Sequence, residues 1–559
     1  MDKRPIEARL LQLIERAIRS ARDEQRFPPD FAPEIQVEVP ANPDHGDYAT
    51  NLAMKNASVL RRSPMEIAET VVSHMEIEKG FLADARAARP GFINFRIEPQ
   101  VFVGVVDTIL ESGTRYGQDD FGRGKRVLIE FISANPTGPL HIGHARQAVI
   151  GDVLASNMEY CGYEVDREYY FNDAGRQMDL LGTSLWARYQ QLHGRNLALP
   201  EEGYQGEYIR DIARQLKDER GDEFLDKDLG DVLDFFRVYA AEQIIKMIDR
   251  DLREFGITFD SWFSESSLHR DGKVDEALAI LREKGEVYEK DGAVWFRSSK
   301  YGDEKDRVVV RKDGTTTYFA PDIAYHIGKR RRGYDHAINI MGADHHGYAP
   351  RMNAAMKALG YPDDFLEFII HPMASFIRNG KEIKMSTRQA QFLTLAELLT
   401  EVGRDVARFL FTMRGPRSHL VFDFDLAKKQ SDENPVYYVQ YAHARICSIL
   451  SHAEERGYPG GSWNNADLKP LDVPEEGELA KHLYQFPREV KMSCINRDLH
   501  RVPMYLVSLV GAFHSYYSHH RVVSGRRELS LARLALVDAV RQVISNGLAM
   551  LGISAPEQM

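Results

Sequence analysis

Between Arg126 and Cys161 the chain reads RVLIEFISANPTGPLHIGHARQAVIGDVLASNMEYC, and few folds accommodate that run. Arg126 to Ser133 is apolar and β-branched around Val127, Ile129 and Ile132, the pattern of a buried parallel strand. The cluster Ala134-Asn135-Pro136-Thr137-Gly138-Pro139 suits neither a helix interior nor a central strand, so it reads as a turn. From there Ile142, Ala145, Val149, Val153, Met158 and Cys161 fall at helical spacing. A strand, a Gly/Pro loop and a helix in that order build a nucleotide site. The first turn of such a helix offers unpaired N–H groups and the positive end of its dipole to phosphate oxygens. His141 and His144 flank that start on one face and can donate hydrogen bonds to the same phosphates.

With 559 residues the chain is too long for one core, and about two to four domains are expected. A formal net charge of −11 argues against a protein that coats nucleic acid indiscriminately, so an RNA ligand would need a local basic face. Cys161, Cys447 and Cys494 lie far apart without CxxC spacing. That implies no zinc knot, no disulfide framework and a reducing, cytoplasmic compartment. No apolar run approaches a membrane span. Asp2, Glu7, Glu15, Asp23 and Glu24 argue against a mitochondrial leader in the Arg-rich amphipathic start.

In chain order, Ile6 to Ala21 gives an amphipathic helix, and Ile35, Val37 and Val39 alternate with polar residues as a half-buried strand. The stretch His45 to Asn51 leads into another helix, and Gly91 to Ile97 forms a further strand, so the first ~110 residues suggest an α+β module. Glu164 to Phe171 reads as a strand, and residues 180–285 as a helical insertion. Hairpins turn at Asp291-Gly292 and Asp313-Gly314. Alternation then resumes: a helix from Asp322 to Arg331, a strand from Ala337 to Met341, a helix from His346 to Leu359 and a strand from Phe365 to Ile370. That is the second half of a doubly wound sheet, with ligands expected at the carboxyl ends of its strands. The basic run Lys329 to Arg332 reads as a solvated helix end. From Leu395 the chain is helical, broken by a loop from Tyr458 to Pro474. Arg488, Lys491, Arg497 and Arg501 are interleaved further on with Tyr505, Phe513, Tyr516 and Tyr517. That mixture suits either single-stranded RNA or a charged bundle with an aromatic core.

A second basic segment runs from Gly380 to Arg388, and its lysines could close over a triphosphate. Selecting a guanidinium would require carboxylates placed at strand ends facing the nucleotide loop. Glu130 lies in the strand feeding that loop, where it needs a cation partner. Tyr318 and Asp322 lie four apart at a helix start, and Asp344 sits just past a strand.

The run ANPTGPLHIGH resembles the HIGH signature of class I aminoacyl-tRNA synthetases, in the form carried by bacterial-type arginyl-tRNA synthetases. Lys384-Met385-Ser386-Thr387 resembles the KMSKS loop of the same class, with Thr387 where the second lysine stands. HGDYATN and GFINF resemble that family's N-terminal module, and DVARF, YVQYAHAR and the ending SAPEQM its helical anticodon-binding domain. The resemblance covers essentially the whole chain.

It implies an α/β fold. A doubly wound, Rossmann-type catalytic domain with helical and hairpin insertions (113–393) follows a small α+β domain that contacts the tRNA D-loop (1–112). A helical linker (394–434) and an all-α anticodon-binding domain (435–559) complete the chain. It further implies that Pro136, Thr137, Gly138, His141, Gly143, His144, Lys384, Met385 and Ser386 bind ATP, with His141, His144 and Lys384 catalytic. Glu130 and Asn135, with Ser133 beside them, would take the amino end of arginine, and Tyr318 and Asp322 the guanidinium. Asp344 is a further candidate. Phe92 and Asn94, with Arg488, Lys491, Arg497 and Arg501, would meet RNA. The implied reaction joins L-arginine to tRNA(Arg) through an arginyl-adenylate. ATP is a substrate with Mg²⁺ and there is no structural metal; the enzyme is expected to be a monomer without a membrane partner. A class I ligase for lysine and a tRNA-binding regulator without catalysis are the rival readings.

Overall fold

A computed structural model describes residues 6–40, 42–383 and 393–559. Two compact units are distinguished: 1–111 with 452–484 and 512–539, and 112–451 with 485–511 and 540–559.

The larger unit is organised by a five-stranded parallel sheet. Its order is Leu366–His371, His336–Gly342, Arg126–Glu130, Glu164–Phe171, Ser261–Ser264. Val127, Leu128 and Ile129 are fully buried, as a strand covered by helices on both faces requires. Chain order reverses between Arg126–Glu130 and His336–Gly342, so ligands belong at the carboxyl ends of those two strands.

Several boundaries differ from expectation. The first strand ends at Glu130 rather than Ser133. Phe131 then packs under the helix Ile142–Tyr160, where a side chain at Gly151 would come within 2.2 Å of its ring. Ile132 and Ser133 follow with φ of 69° and 46°. A left-handed β-branched residue is costly and marks a loop held by its surroundings. The edge strand Ser261–Ser264 lies inside the stretch read as helical; at four half-buried residues it carries too short an alternation to register.

Asp291 and Gly292 both have positive φ, the turn expected for the first hairpin. The second is not a paired two-strand hairpin: it closes through an isolated Val310–Thr316 bridge, with the Arg311 N–H donating to the Thr315 carbonyl at 2.7 Å and the Thr317 N–H to the Val309 carbonyl at 2.9 Å. The C-terminal third is not wholly helical, because Val421–Asp423 pairs in parallel with Ser375–Arg378.

In the smaller unit, Tyr48–Thr50, Phe92–Ile97 and Leu82–Ala88 form an antiparallel sheet in the order first, third, second along the chain. Ile93, Phe95 and Ile97 are buried, leaving Phe92 and Asn94 together on the other face, both half-exposed. Ile35 to Val39 is not a strand; it touches the sheet through one bridge, Glu38 to Ala49. Segment 452–484 joins this unit through an ion pair between Lys481 and Asp47 and an edge-on contact of Phe102 with Tyr484. The C-terminal helices are Pro435–Glu455, Pro474–Asn496, Arg501–His519 and Arg527–Met550. Tyr505, Phe513 and Tyr516, all on Arg501–His519, are buried, so these aromatics are core and not stacking platforms.

Candidate active site

The helix Ile142–Tyr160 begins with a histidine cap. His141 Nδ1 accepts the Gly143 N–H at 3.1 Å, and His144 Nδ1 accepts the His141 N–H at 3.3 Å. A backbone N–H only donates, so both Nδ1 atoms are acceptors and each neutral ring carries its proton on Nε2. The rings stack at 3.8 Å. A Cβ at Gly143 would lie 2.8 Å from the His141 ring, so the cap requires glycine there. Burial holds both imidazoles low; His144, with His141 and His371 adding, falls to about 3. The site therefore presents two neutral N–H donors beside the positive end of a helix, a place for phosphate oxygens.

Ahead of the cap, Thr137 N–H bonds to the Asn135 carbonyl at 2.7 Å, and Tyr208 Oη donates to the Thr137 carbonyl at 2.6 Å. A Cβ at Gly138 would lie 3.1 Å from the Tyr208 ring, which leaves little room for a side chain. Pro136 is buried. Arg146, fully packed in the same helix, donates to the carbonyls of Pro372 (3.0 Å) and Ser418 (2.6 Å) and fixes the helix against two further loops.

A carboxylate pocket adjoins this start. Buried Glu130 accepts Lys329 Nζ at 2.7 Å and Ser133 Oγ at 3.2 Å. Asn135 donates to Gln177 at 2.9 Å and accepts the Asn172 N–H at 3.3 Å, steering the loop toward the end of the strand Glu164–Phe171. Asp322, in the first turn of the helix Phe319–Arg331, accepts a bond from Tyr348 Oη. Burial, reinforced by Glu265 and Glu130, raises the Asp322 carboxyl to about 7 against the opposing pull of Tyr348 and Lys329. Glu265 is also raised by burial and accepts Tyr170 Oη at 2.7 Å. Among the described residues Lys329 is the only cation bonded to any of these three carboxylates, and Asp322 and Glu265 are met only by tyrosine hydroxyls, an arrangement short of positive charge.

Not every sequence candidate meets there. Tyr318 is 75% exposed, and the Asp344 side chain is exposed beside His345 at 3.4 Å. Lys384, Met385, Ser386 and Thr387 lie outside the described residues. The run Lys329 to Arg332 is only in part a solvated helix end: Arg331 is exposed, but Lys329 is fully buried and Arg332 holds buried Glu168 with its two terminal guanidinium nitrogens. Among the C-terminal cations, Lys491 pairs with Asp119 at 2.9 Å, Arg497 with Glu367 at 3.0 Å and Arg501 with Glu489 at 2.8 Å, while Arg488 is exposed. Sequence reasoning missed Glu265, Tyr170, Tyr348 and Lys329. A lysine seven residues after Asp322 matches helical period, and that spacing was the available signal for the last of them.

The sheet, the switch point and the capped histidines are those of a class I aminoacyl-tRNA synthetase: the family model "tRNA synthetases class I (R), catalytic domain" matches residues 105–417. The arginyl tRNA synthetase N terminal domain matches residues 8–97, and the DALR anticodon binding domain residues 439–559. The chain is 46% identical to arginine–tRNA ligase of Syntrophotalea carbinolica, over 99% of this chain and 100% of that one. It is 49% identical to that of Desulfosudis oleivorans, over 94% and 95%. Thermus thermophilus arginyl-tRNA synthetase shares the fold with a TM-score of 0.74 at 23% identity, over 98% and 99% of the two chains. The chain belongs to the arginyl-tRNA synthetases, the enzymes that attach arginine to tRNA in translation, with ATP as co-substrate. Among the described residues no helix is long and apolar enough to cross a membrane.

Proposed function

We propose that Asp322 and Glu265 hold the guanidinium of arginine and Glu130 its ammonium, while His141 and His144 hold the phosphates of ATP. The excess of buried carboxylate beside the histidine-capped helix carries this reading, because only a ligand with two positive groups balances it. Ser133 and Asn135 support the amino end, and Tyr318 closes over the guanidinium when arginine is bound.

The substrate carboxylate attacks the α-phosphate of ATP, forming arginyl-adenylate and releasing pyrophosphate. The 2′-hydroxyl of the terminal tRNA adenosine then takes the arginyl group, and AMP leaves. Positioning and charge stabilisation carry both steps without a side-chain general base. Mg²⁺ travels with ATP and adds charge to the phosphates when bound. Pro136, Thr137, Gly138 and Gly143 line the ATP loop, and Lys384, Met385 and Ser386 belong to the loop that meets the triphosphate.

The working domains are 1–112 for the D-loop, 113–393 for catalysis, 394–434 as linker and 435–559 for the anticodon. The enzyme acts as a cytoplasmic monomer whose adenylate step requires tRNA. ATP–pyrophosphate exchange with arginine or lysine, each with and without tRNA, tests this reading. Exchange is expected with arginine and tRNA together; exchange with lysine, or at full rate without tRNA, rejects it.

The Phe92–Asn94 face carries a separate expectation. A half-exposed ring beside an amide suits a splayed base, stacked on one residue and hydrogen-bonded by the other. Phe92→Ala should weaken tRNA binding about tenfold, the effect of losing one stacked base. The KM for arginine should hold. Anisotropy titration with labelled tRNA measures the affinity, and an unchanged value removes Phe92 from the interface. Arg488 is the RNA-facing cation of the C-terminal set; Lys491, Arg497 and Arg501 are engaged by Asp119, Glu367 and Glu489 on other elements.

A further inference from the structure

The central sheet carries a polar row where a buried sheet is ordinarily apolar. Asn339, Glu130, Glu168 and Ser261 stand at one register on four adjacent strands. The helix Phe319–Arg331 meets that row with a polar stripe. Tyr325 Oη donates to Glu168 at 2.7 Å, and Lys329 Nζ donates to Glu130 at 2.7 Å and Asn339 at 2.8 Å. Asn339 Nδ2 donates to His326 Nε2 at 3.0 Å, and His326 Nδ1 donates to the Asp322 carbonyl at 2.8 Å. Lys329 also lies 4.2 Å from the Tyr325 ring centroid, so the ammonium meets two acceptors and a π-face.

A buried ion pair adds little stability over a well-packed apolar pair, yet removing one partner strands a charge. An apolar interface would let the helix shift along the sheet. This one opposes any shift, because displacement leaves Glu130 and Lys329 unpaired. The same helix carries Asp322, two turns before Lys329.

We propose that Lys329 is a positioning residue for the amino-acid pocket. By tying Glu130 on the sheet to the helix that presents Asp322, it sets the distance between the two ends of the arginine site. The inference rests on the reading that Glu130 and Asp322 bind the two charged ends of arginine. It makes the pocket a measured gap, selecting a substrate of arginine's length.

ATP–pyrophosphate exchange in the presence of tRNA tests it. Lys329→Met should raise the arginine KM about tenfold to a hundredfold, the effect of losing a charged hydrogen-bond partner, and leave the ATP KM within about twofold. Discrimination against lysine should narrow. Glu130→Gln and Asp322→Asn are measured beside it. If neither moves the arginine KM, the pocket reading fails; if they do and Lys329→Met does not, the positioning role fails. The double variant Glu130→Gln/Lys329→Met should be no worse than Glu130→Gln alone, since Lys329 acts through Glu130. Multiplying effects, or an ATP KM rising in parallel, would overturn the proposal in favour of general destabilisation. Should Lys329→Met not fold, Asn339→Leu removes the second acceptor and should raise the arginine KM about threefold to tenfold. An arginine KM unchanged in that variant also overturns it.

Discussion

Asp322→Asn is expected to lower kcat/KM for arginine about 10²-fold or more, the loss of one charged partner of a buried guanidinium, roughly 3 kcal/mol. The ATP KM should barely move, because the Asp322 carboxylate is bonded by Tyr348 and feels the charges of Glu265, Glu130 and Lys329 rather than the histidine cap. A parallel fall in both parameters would make Asp322 structural and the pocket assignment wrong. The variant should also unfold at higher temperature than the parent when no arginine is present. Asp322 sits near pKa 7 in the fold against an ordinary 3.8, so the fold favours its protonated form. Ionisation of this group therefore costs stability progressively as pH rises from about 4 through 7, and asparagine removes that cost. Arginine reverses the sign, because the guanidinium favours the charged carboxylate. Below pH 7 arginine affinity should fall up to tenfold per pH unit, and binding near pH 7 should release a proton. Calorimetry in buffers of different ionisation enthalpy reads that proton, and its absence would show that the carboxyl is already ionised.

The histidine-capped helix was legible because its chemistry is local: a turn cluster, a helix start and two histidines lie within a few residues of one another. The alternation of strands and helices after Pro321 was legible for the same reason, since period and turn residues are short-range signals. The pocket was only half legible. Glu130 announced a need for a cation, but its partner lies 199 positions away, in a run that looks like an ordinary basic helix end. Tyr348 and Glu265 reach Asp322 and Tyr170 from separate elements, with no spacing in the sequence to connect them. The C-terminal aromatics misled in the opposite direction, since a bundle core and a stacking surface draw on the same residues, and burial alone separates them. Arg497 and Lys491 likewise read as free cations until Glu367 and Asp119 are placed beside them.

His144→Ala should slow adenylate formation about 10²- to 10³-fold, roughly 3 to 4 kcal/mol, the size of one lost transition-state donor. Transfer from preformed arginyl-adenylate should be much less affected, because no pyrophosphate leaves in that step. His141→Asn separates the cap from the chemistry. Asparagine is a good N-cap and can accept the Gly143 N–H in place of the ring, so the melting temperature should hold while adenylate formation still falls. The form of the rings fixes the pH dependence. Burial keeps His144 near pKa 3 and His141 low, and both Nδ1 atoms accept backbone N–H groups, so the working species is the neutral ring with its proton on Nε2. At saturating arginine, which masks the titration of Asp322, the rate of adenylate formation should be level from about pH 5.5 to 8. An imidazolium mechanism predicts a rate that rises as pH falls through 6.5, and single-turnover measurements across that range separate the two. A limb of that kind that vanished in His144→Ala would show that bound triphosphate recharges the ring and that the neutral-donor account is wrong.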